Sequence, residues 1–342
     1  MNRVRHGTTE DVLWRLLADC LTCGRSAMLA VVAETSGSSP GRAGMKLLLT
    51  DDGHRVGTVG GGEVERRVID LAHRLRSSTS TRSIVETFQL GDRNDGHRTG
   101  MACGGSMKVA MVLSGPDSLP MVRALQDSRE RGSRGCLRLS PAGFGFVSVP
   151  APGGRNLIHA TSDDWSYEED LVRDPRAYLV GGGHVSLALS EVLAMLDYRV
   201  TVFEIRENLN TFAQNVHAFE KRQLPGYDRI GAEVPDGPDV FAFVMTHSHA
   251  LDRQVLVQLL RKDLAYVGML GSGTKIAAVL EYLRQFGTLR GMERLHAPAG
   301  LPVGSHTPAE IAVSIAAEVI RVRSLSDKPD RILVGCPGSS AR

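Results

Sequence analysis

Cys103 is the residue of this chain best suited to soft chemistry. It stands in Gly-Met-Ala-Cys-Gly-Gly (100–105), a hinge of small residues with Gly104 and Gly105 behind it, ahead of an apolar run. A thiolate there suits a soft metal or a sulfur-exchange step. A cysteine simply packed in a core is the structural alternative. Two loops of the same kind precede it. Gly37-Ser38-Ser39-Pro40 follows an apolar stretch, and Gly60-Gly61-Gly62 precedes a helical pattern carrying Glu63 and Glu65 in its first turn. The amides of a glycine triplet at a helix start make a ready anion site. Glu63 and Glu65 lie two residues apart and do not share a helical face, so they make a poor acid–base pair. They suit the positive end of the helix dipole. For each loop taken alone, a tight turn is explanation enough.

The second half offers a different set. Gly181-Gly182-Gly183, followed by His184, sits between a strand pattern and a helix pattern. Gly183 lets the backbone approach a pyrophosphate, and the helix start supplies N–H donors. Glu204 closes the next strand, where an acid hydrogen-bonds a ribose 2′-hydroxyl, with Arg206 just beyond. Ser186 stands where a third glycine is expected. Thr246, His247, His249 and Asp252 lie in Met-Thr-His-Ser-His-Ala-Leu-Asp, which invites a metal reading. Di-metal hydrolases of the metallo-β-lactamase fold use H-x-H-x-D-H, and here Ala250 and Leu251 occupy the positions that need Asp and His. No metal site is therefore expected. A strand-end loop over the cleft fits better, with Gly271 and Ser272 lining the same crevice.

These loops need elements to position them. Thr9 is read as the cap of an opening helix that Gly24 stops. A buried strand spans 26–35, and a hairpin folds about an Asp-Gly turn. A helix follows Gly62, and two more strands flank the Cys103 loop. Mixed strands around one or two helices imply a small α+β domain. From 115 to 175 turn signals separate short strand-like runs, and Ser-Asp-Asp-Trp-Ser-Tyr-Glu-Glu-Asp is polar and acidic, which reads as a trailing part and a linker. Beyond it, alternating strands and helices imply a Rossmann-like, doubly wound parallel sheet. A last helix starts with Thr307 as cap and Pro308 in the first turn. The expected organisation is an amino-terminal domain over 1–170, a Rossmann-like domain over 171–325 and a loose tail over 326–342.

The 342 residues suit two domains, and 42% hydrophobic with 23% charged residues is ordinary globular composition. A net charge of +2 gives no footprint for nucleic acid or an anionic membrane. No apolar stretch is long enough to span a bilayer and no signal-peptide pattern opens the chain, so a cytoplasmic location is expected. The five cysteines do not make a disulfide framework. Cys20 and Cys23 form a C-x-x-C with no second pair to complete a zinc site, and Cys20 continues a helical apolar stripe.

With these loops located, the sequence resembles the XdhC/CoxI family, accessory proteins for maturation of xanthine dehydrogenase and related molybdenum hydroxylases. The likeness rests on "ETSGSSPGRAGMKLLLTDDGHRVGTVGGGEVE" and "GMACGG" in the first domain. In the second it rests on "YLVGGGHVSLAL", "VTVFEIR", "VMTHSHALD", "YVGMLGS" and "HAPAGLPVGSHTPAEIAVSIAAEVI". The resemblance implies a chaperone that holds the molybdenum cofactor (molybdopterin) as cargo, protects it while its sulfido ligand is installed and delivers it to the apo-enzyme. It implies a molybdenum hydroxylase and a cysteine desulfurase as partners, and a homodimer. Family residues map onto Gly37, Ser38, Ser39 and Pro40, onto Gly60 to Gly62 with Glu63 and Glu65, and onto Cys103 with Gly104 and Gly105. Gly41 stands where the family commonly has arginine, with Arg42 next to it, and Glu204 stands where aspartate is usual. The competing reading is an NAD(P)-dependent oxidoreductase using the Rossmann cleft, although no hydride-transfer signature such as Tyr-x-x-x-Lys lies near it.

Overall fold

The computed structural model describes residues 7–78, 83–90, 104–149, 155–160, 164–171, 174–285 and 291–327. Cys103 lies outside the described residues, as does the chain after Asp327. The chain divides into one unit over Gly7–Arg173 and a second that takes in Asp174–Arg342.

In the first unit, α1 (Thr9–Thr22) is capped by Thr8, one residue before the expected Thr9. The Asp11 amide donates to Thr8 Oγ1 at 3.3 Å and the Thr8 amide to Asp11 Oδ2 at 3.1 Å. Asp11 lies three residues after Thr8, the spacing a reciprocal capping box requires, whereas Val12 in that place could not return the bond to Thr9. Strands β1 (Ala27–Ser36), β2 (Lys46–Thr50), β3 (Arg55–Gly57), β4 (Ser83–Gln89) and β5 (Ser106–Ser114) form an antiparallel sheet in the order β3-β2-β1-β5-β4. The central strand β1 obeys the period of two. Met28, Ala30 and Val32 pack with Val64, Val68 and Ala72 of α2 (Gly62–Ser77). Leu29, Val31 and Ala33 face the other way, among Leu13, Trp14 and Leu17 of α1 and Val122 and Leu125 of α3 (Leu119–Glu130).

Residues 115–175 depart from the expectation of strand-like runs and a linker. They hold α3 and a second antiparallel sheet of β6 (Cys136–Ser140), β7 (Gly143–Val147), β8 (Arg155–Ala160) and β9 (Trp165–Asp170), in the order β7-β6-β9-β8. The later part of the acidic segment, Trp165–Asp170, is β9. Its Trp165 and Tyr167 are buried, and every acid is paired: Glu168 with Arg138 at 2.8 Å, Glu169 with Lys46 at 2.9 Å and Asp170 with Arg134 at 2.8 Å. Buried Lys46 also meets Glu10 of α1 at 2.7 Å, and Glu10 meets Arg129 of α3 at 2.8 Å. Burial raises the Glu10 acid, but Lys46 and Arg129 outweigh it and hold Glu10 at about 2. These ion pairs join both sheets and two helices into one body.

The second unit alternates strand and helix. In chain order it contains β10 (Arg176–Val180), α4 (His184–Met195), β11 (Arg199–Glu204), α5 (Asn210–Ala213), β12 (Glu220–Gln223), α6 (Ile230–Glu233), β13 (Gly237–Val244), α7 (His249–Leu259), β14 (Leu264–Met269), α8 (Gly273–Gln285), β15 (Leu295–His296) and α9 (Pro308–Asp327). The six strands are parallel, in the order β12-β11-β10-β13-β14-β15. The carboxyl-terminal part of β13 (240–244) is wholly buried and β14 nearly so, as helices on both faces require. The strand order reverses between β10 and β13, which opens a crevice at their carboxyl ends. Helix α9 carries the expected Thr307 cap, whose Oγ1 accepts the Glu310 amide while Glu310 accepts the Thr307 amide. Among the described residues no helix is long and apolar enough to cross a membrane.

Candidate functional site

In the first unit the sheet register gathers the three glycine loops. Ser36 at the end of β1 pairs with Ser106 at the start of β5, which sets Gly37 beside Gly104 and Gly105. The backbones meet so closely that a Cβ on Gly105 would lie 2.3 Å from the Ser36 carbonyl oxygen and 2.4 Å from that of Ser38. Gly60, at φ 117°, closes the other side, where a Cβ would lie 2.6 Å from the Gly41 nitrogen. Residues 36–41, 58–62 and 104–105 therefore form one cluster, and only glycine permits it at these positions. Ser38 and Arg42 are exposed on it, and Ser39 Oγ donates to the Gly41 carbonyl at 2.9 Å.

The two glutamates of this loop have separate tasks. Glu65 Oε2 accepts from Thr58 Oγ1 and from the amides of Val59 and Gly61, each at 3.2 Å. The anion nest of the glycine triplet thus holds the chain's own carboxylate. Glu63 pairs with Arg66 at 2.6 Å, and that bond lowers its pKa.

In the second unit a cavity of about 640 Å³ opens at the switch point. Gly183, His184, Thr246 and Gly271 line it. Ser186, Lys275, Pro298, Ala299 and Ser305 line it too. Gly181 turns at the end of β10 with φ 112°, its amide donating to the Phe203 carbonyl at 2.8 Å. The buried Asp252 organises the β13 end: its Oδ1 accepts the Thr246 amide at 3.1 Å and hydroxyl at 2.7 Å, and its Oδ2 pairs with Lys275. His247 and His249 are exposed and do not line the cavity, and Ser272 Oγ accepts the Lys275 amide. Among the described residues no group of three or more His, Cys, Asp or Glu side chains is placed to hold a metal ion.

The far wall is the segment after β15, fixed by a second buried acid. Glu318 of α9 accepts from the Tyr266 hydroxyl at 2.7 Å and the Gly300 amide at 2.8 Å, and meets His296 Nδ1 at 3.0 Å. Burial pushes the Glu318 acid up, but these donors bring it below the usual range. Nothing in the pattern of residues marks Glu318 or Lys275, since an acid inside a helix and a lysine in a first turn are ordinary surface choices.

Glu204 is fully buried at the end of β11. It accepts the amides of Gly182, Ile205 and Arg206, each at 2.8 Å, and the Arg206 guanidinium at 2.7 and 3.0 Å. Burial raises its pKa, but Arg206 and these amides win and hold it at about 2. A carboxylate has about four lone-pair sites, so none is left for a ribose hydroxyl.

Fold and crevice together define a two-unit protein: a small α+β unit, and a Rossmann unit on a six-stranded parallel sheet. Family comparison makes this specific. The chain belongs to the XdhC and CoxI family, whose model matches residues 20–89, and the model of the XdhC Rossmann domain matches 177–319. It is 24% identical to a probable xanthine dehydrogenase subunit of Bacillus subtilis, covering 93% of this chain and 98% of that one. It is 28% identical to the uncharacterized protein YqeB of Escherichia coli over 86% of this chain, spanning 43% of that protein's length. A crystal structure described as a xanthine dehydrogenase from Bacillus halodurans shares the fold, with a TM-score of 0.76 at 20% identity, over 95% of this chain and 98% of that one.

Proposed function

We propose that this protein is an accessory factor for a xanthine-dehydrogenase-type molybdenum hydroxylase. It takes up the molybdenum cofactor as cargo, shields it while a cysteine desulfurase supplies the sulfur of its sulfido ligand, and passes it to the apo-enzyme. It does so in the cytoplasm, as a homodimer. The observation that carries this reading is the meeting of the three glycine loops in the first unit. Such a cluster presents backbone and small hydroxyls, with the exposed Arg42 beside them, to a flat polar heterocycle with a phosphate. Cys103, the residue before Gly104 in the sequence, is of the type that serves as a soft ligand for molybdenum or sulfur. Because Glu65 fills the Val59–Gly61 nest, the cargo is met by the exposed edge of Gly37, Ser38 and Gly104. Membership of the XdhC and CoxI family supports the same role.

The test is cargo retention. The protein is purified after co-expression with the cofactor-synthesis genes and denatured, and the released pterin is oxidised to its fluorescent form. Pterin approaching one per chain is expected. Its absence from the wild-type protein overturns the reading.

A further inference from the structure

The crevice of the second unit has the form of a dinucleotide site but not its chemistry. In such folds the acid at the end of the second strand receives the adenosine ribose. Here Glu204 is sealed inside the chain, with five hydrogen-bond donors on its two oxygens. One of them is the amide of Gly182, in the glycine turn itself.

Other groups in the cavity keep hydrogen-bonding capacity for a ligand. Ser186, in the first turn of α4, lines the cavity and is 1% exposed, and its Oγ has no hydrogen-bond partner. A buried hydroxyl left unbonded is costly unless a ligand supplies the missing bond. Across the cavity Lys275 is clamped by Asp252, whose other oxygen is held by the Thr246 amide and hydroxyl. An ammonium has three N–H donors, so a lysine that spends one on a carboxylate keeps two for a ligand. The α4 amino terminus, with Gly183 as cap and His184 and Val185 following, adds the positive end of a twelve-residue helix to the same cavity.

We propose that this crevice binds a phosphate monoester, held by the α4 amino terminus, Ser186 and Lys275, and that Glu204 takes no part in ligand binding. Asp252 acts as the positioning residue for Lys275. The crevice therefore favours a terminal phosphate over a dinucleotide anchored through its ribose. The proposed cargo, a pterin carrying one phosphate, meets this requirement; that assignment of the source rests on the chaperone role proposed above, and the site itself does not.

The experiment uses the full chain and titrates it calorimetrically with inorganic phosphate and, separately, with NAD+. Saturable phosphate binding is expected, with NAD+ no tighter than phosphate. Replacing the pair together, Lys275→Gln with Asp252→Asn, removes the ammonium without stranding a buried carboxylate, and phosphate affinity is expected to fall about tenfold or more. Ser186→Ala leaves both charges in place and is expected to weaken phosphate about threefold or more. The proposal is overturned if the wild type shows no saturable phosphate binding, if both variants bind as the wild type does, or if NAD+ binds more than about tenfold tighter than phosphate. Phosphate binding of the expected pattern in a protein that retains no pterin would sink the chaperone reading and leave this site standing. Retained pterin with no phosphate binding at the crevice would do the reverse.

Discussion

Glu204→Gln removes one charge and one acceptor oxygen from the middle of the Rossmann turn. The native carboxylate accepts the Gly182 amide on one oxygen, the Ile205 and Arg206 amides on the other, and the guanidinium on both. A glutamine can satisfy one of these sides and turns an NH2 group toward donors on the other. Breaking a buried ion pair by removing one partner costs about 3–5 kcal/mol. Arg206 remains partly exposed and recovers water, so about 3 kcal/mol is expected. The pKa gives an independent figure. Glu204 sits at about 2 against an ordinary 4.5, so its contribution is complete above about pH 4.5 and is lost as the pH falls through about 2. A shift of that size corresponds to about 3 kcal/mol. Urea unfolding followed by far-ultraviolet circular dichroism measures both effects. Fluorescence reports the first unit separately, because Trp14 and Trp165 both lie there. The variant should lose about 3 kcal/mol at pH 7, and its deficit should narrow by about 1–1.5 kcal/mol at pH 3.5. A loss below about 1 kcal/mol at pH 7, or a deficit equal at both pH values, would refute the reasoning.

Four further substitutions probe the first unit. Lys46→Met removes the ammonium that pairs with the buried Glu169 carboxylate and should cost about 3–5 kcal/mol by urea unfolding monitored at the tryptophans, and a loss under about 1 kcal/mol would contradict the pairing. Gly105→Ala drives a methyl group into the Ser36 and Ser38 carbonyls; it should cost about 1–3 kcal/mol in the melting transition and reduce pterin retention, and wild-type values in both would refute the loop contact. Thr8→Ala removes the cap of α1 and should cost about 1 kcal/mol, while Thr9→Ala should cost much less; the opposite order would return the cap to Thr9.

The Rossmann unit is legible in the sequence because its signals are local. Apolar runs of strand length alternate with helical stripes, and Gly181 to Gly183 sit at the first junction. The glycine loops of the first unit can be recognised singly, because glycine at φ 117° or against a carbonyl has no substitute. Their meeting cannot, since it depends on the register of β1 against β5. The acidic stretch before residue 171 misleads for the same reason. Its last three acids look solvated in sequence yet are paired in the fold, and Lys46, which meets Glu169, lies 123 residues away. The role of Glu204 carries a nearer signal: an arginine two residues on can close upon the carboxylate and withdraw it from any ligand. Lys275 is invisible in the sequence because Asp252, which gives it a fixed place, comes from another helix.

The central claim is that the protein carries the molybdenum cofactor and hands it on. The most direct measurement mixes pterin-loaded protein with the apo form of a xanthine-dehydrogenase-type hydroxylase and follows both the location of the pterin and the appearance of enzyme activity. The account predicts that pterin moves to the hydroxylase and that activity rises with it, faster than with free cofactor. It also predicts that Cys103→Ala protein, loaded in the same way, gives less active enzyme. Pterin that stays with the carrier, or activation no faster than by free cofactor, would contradict it.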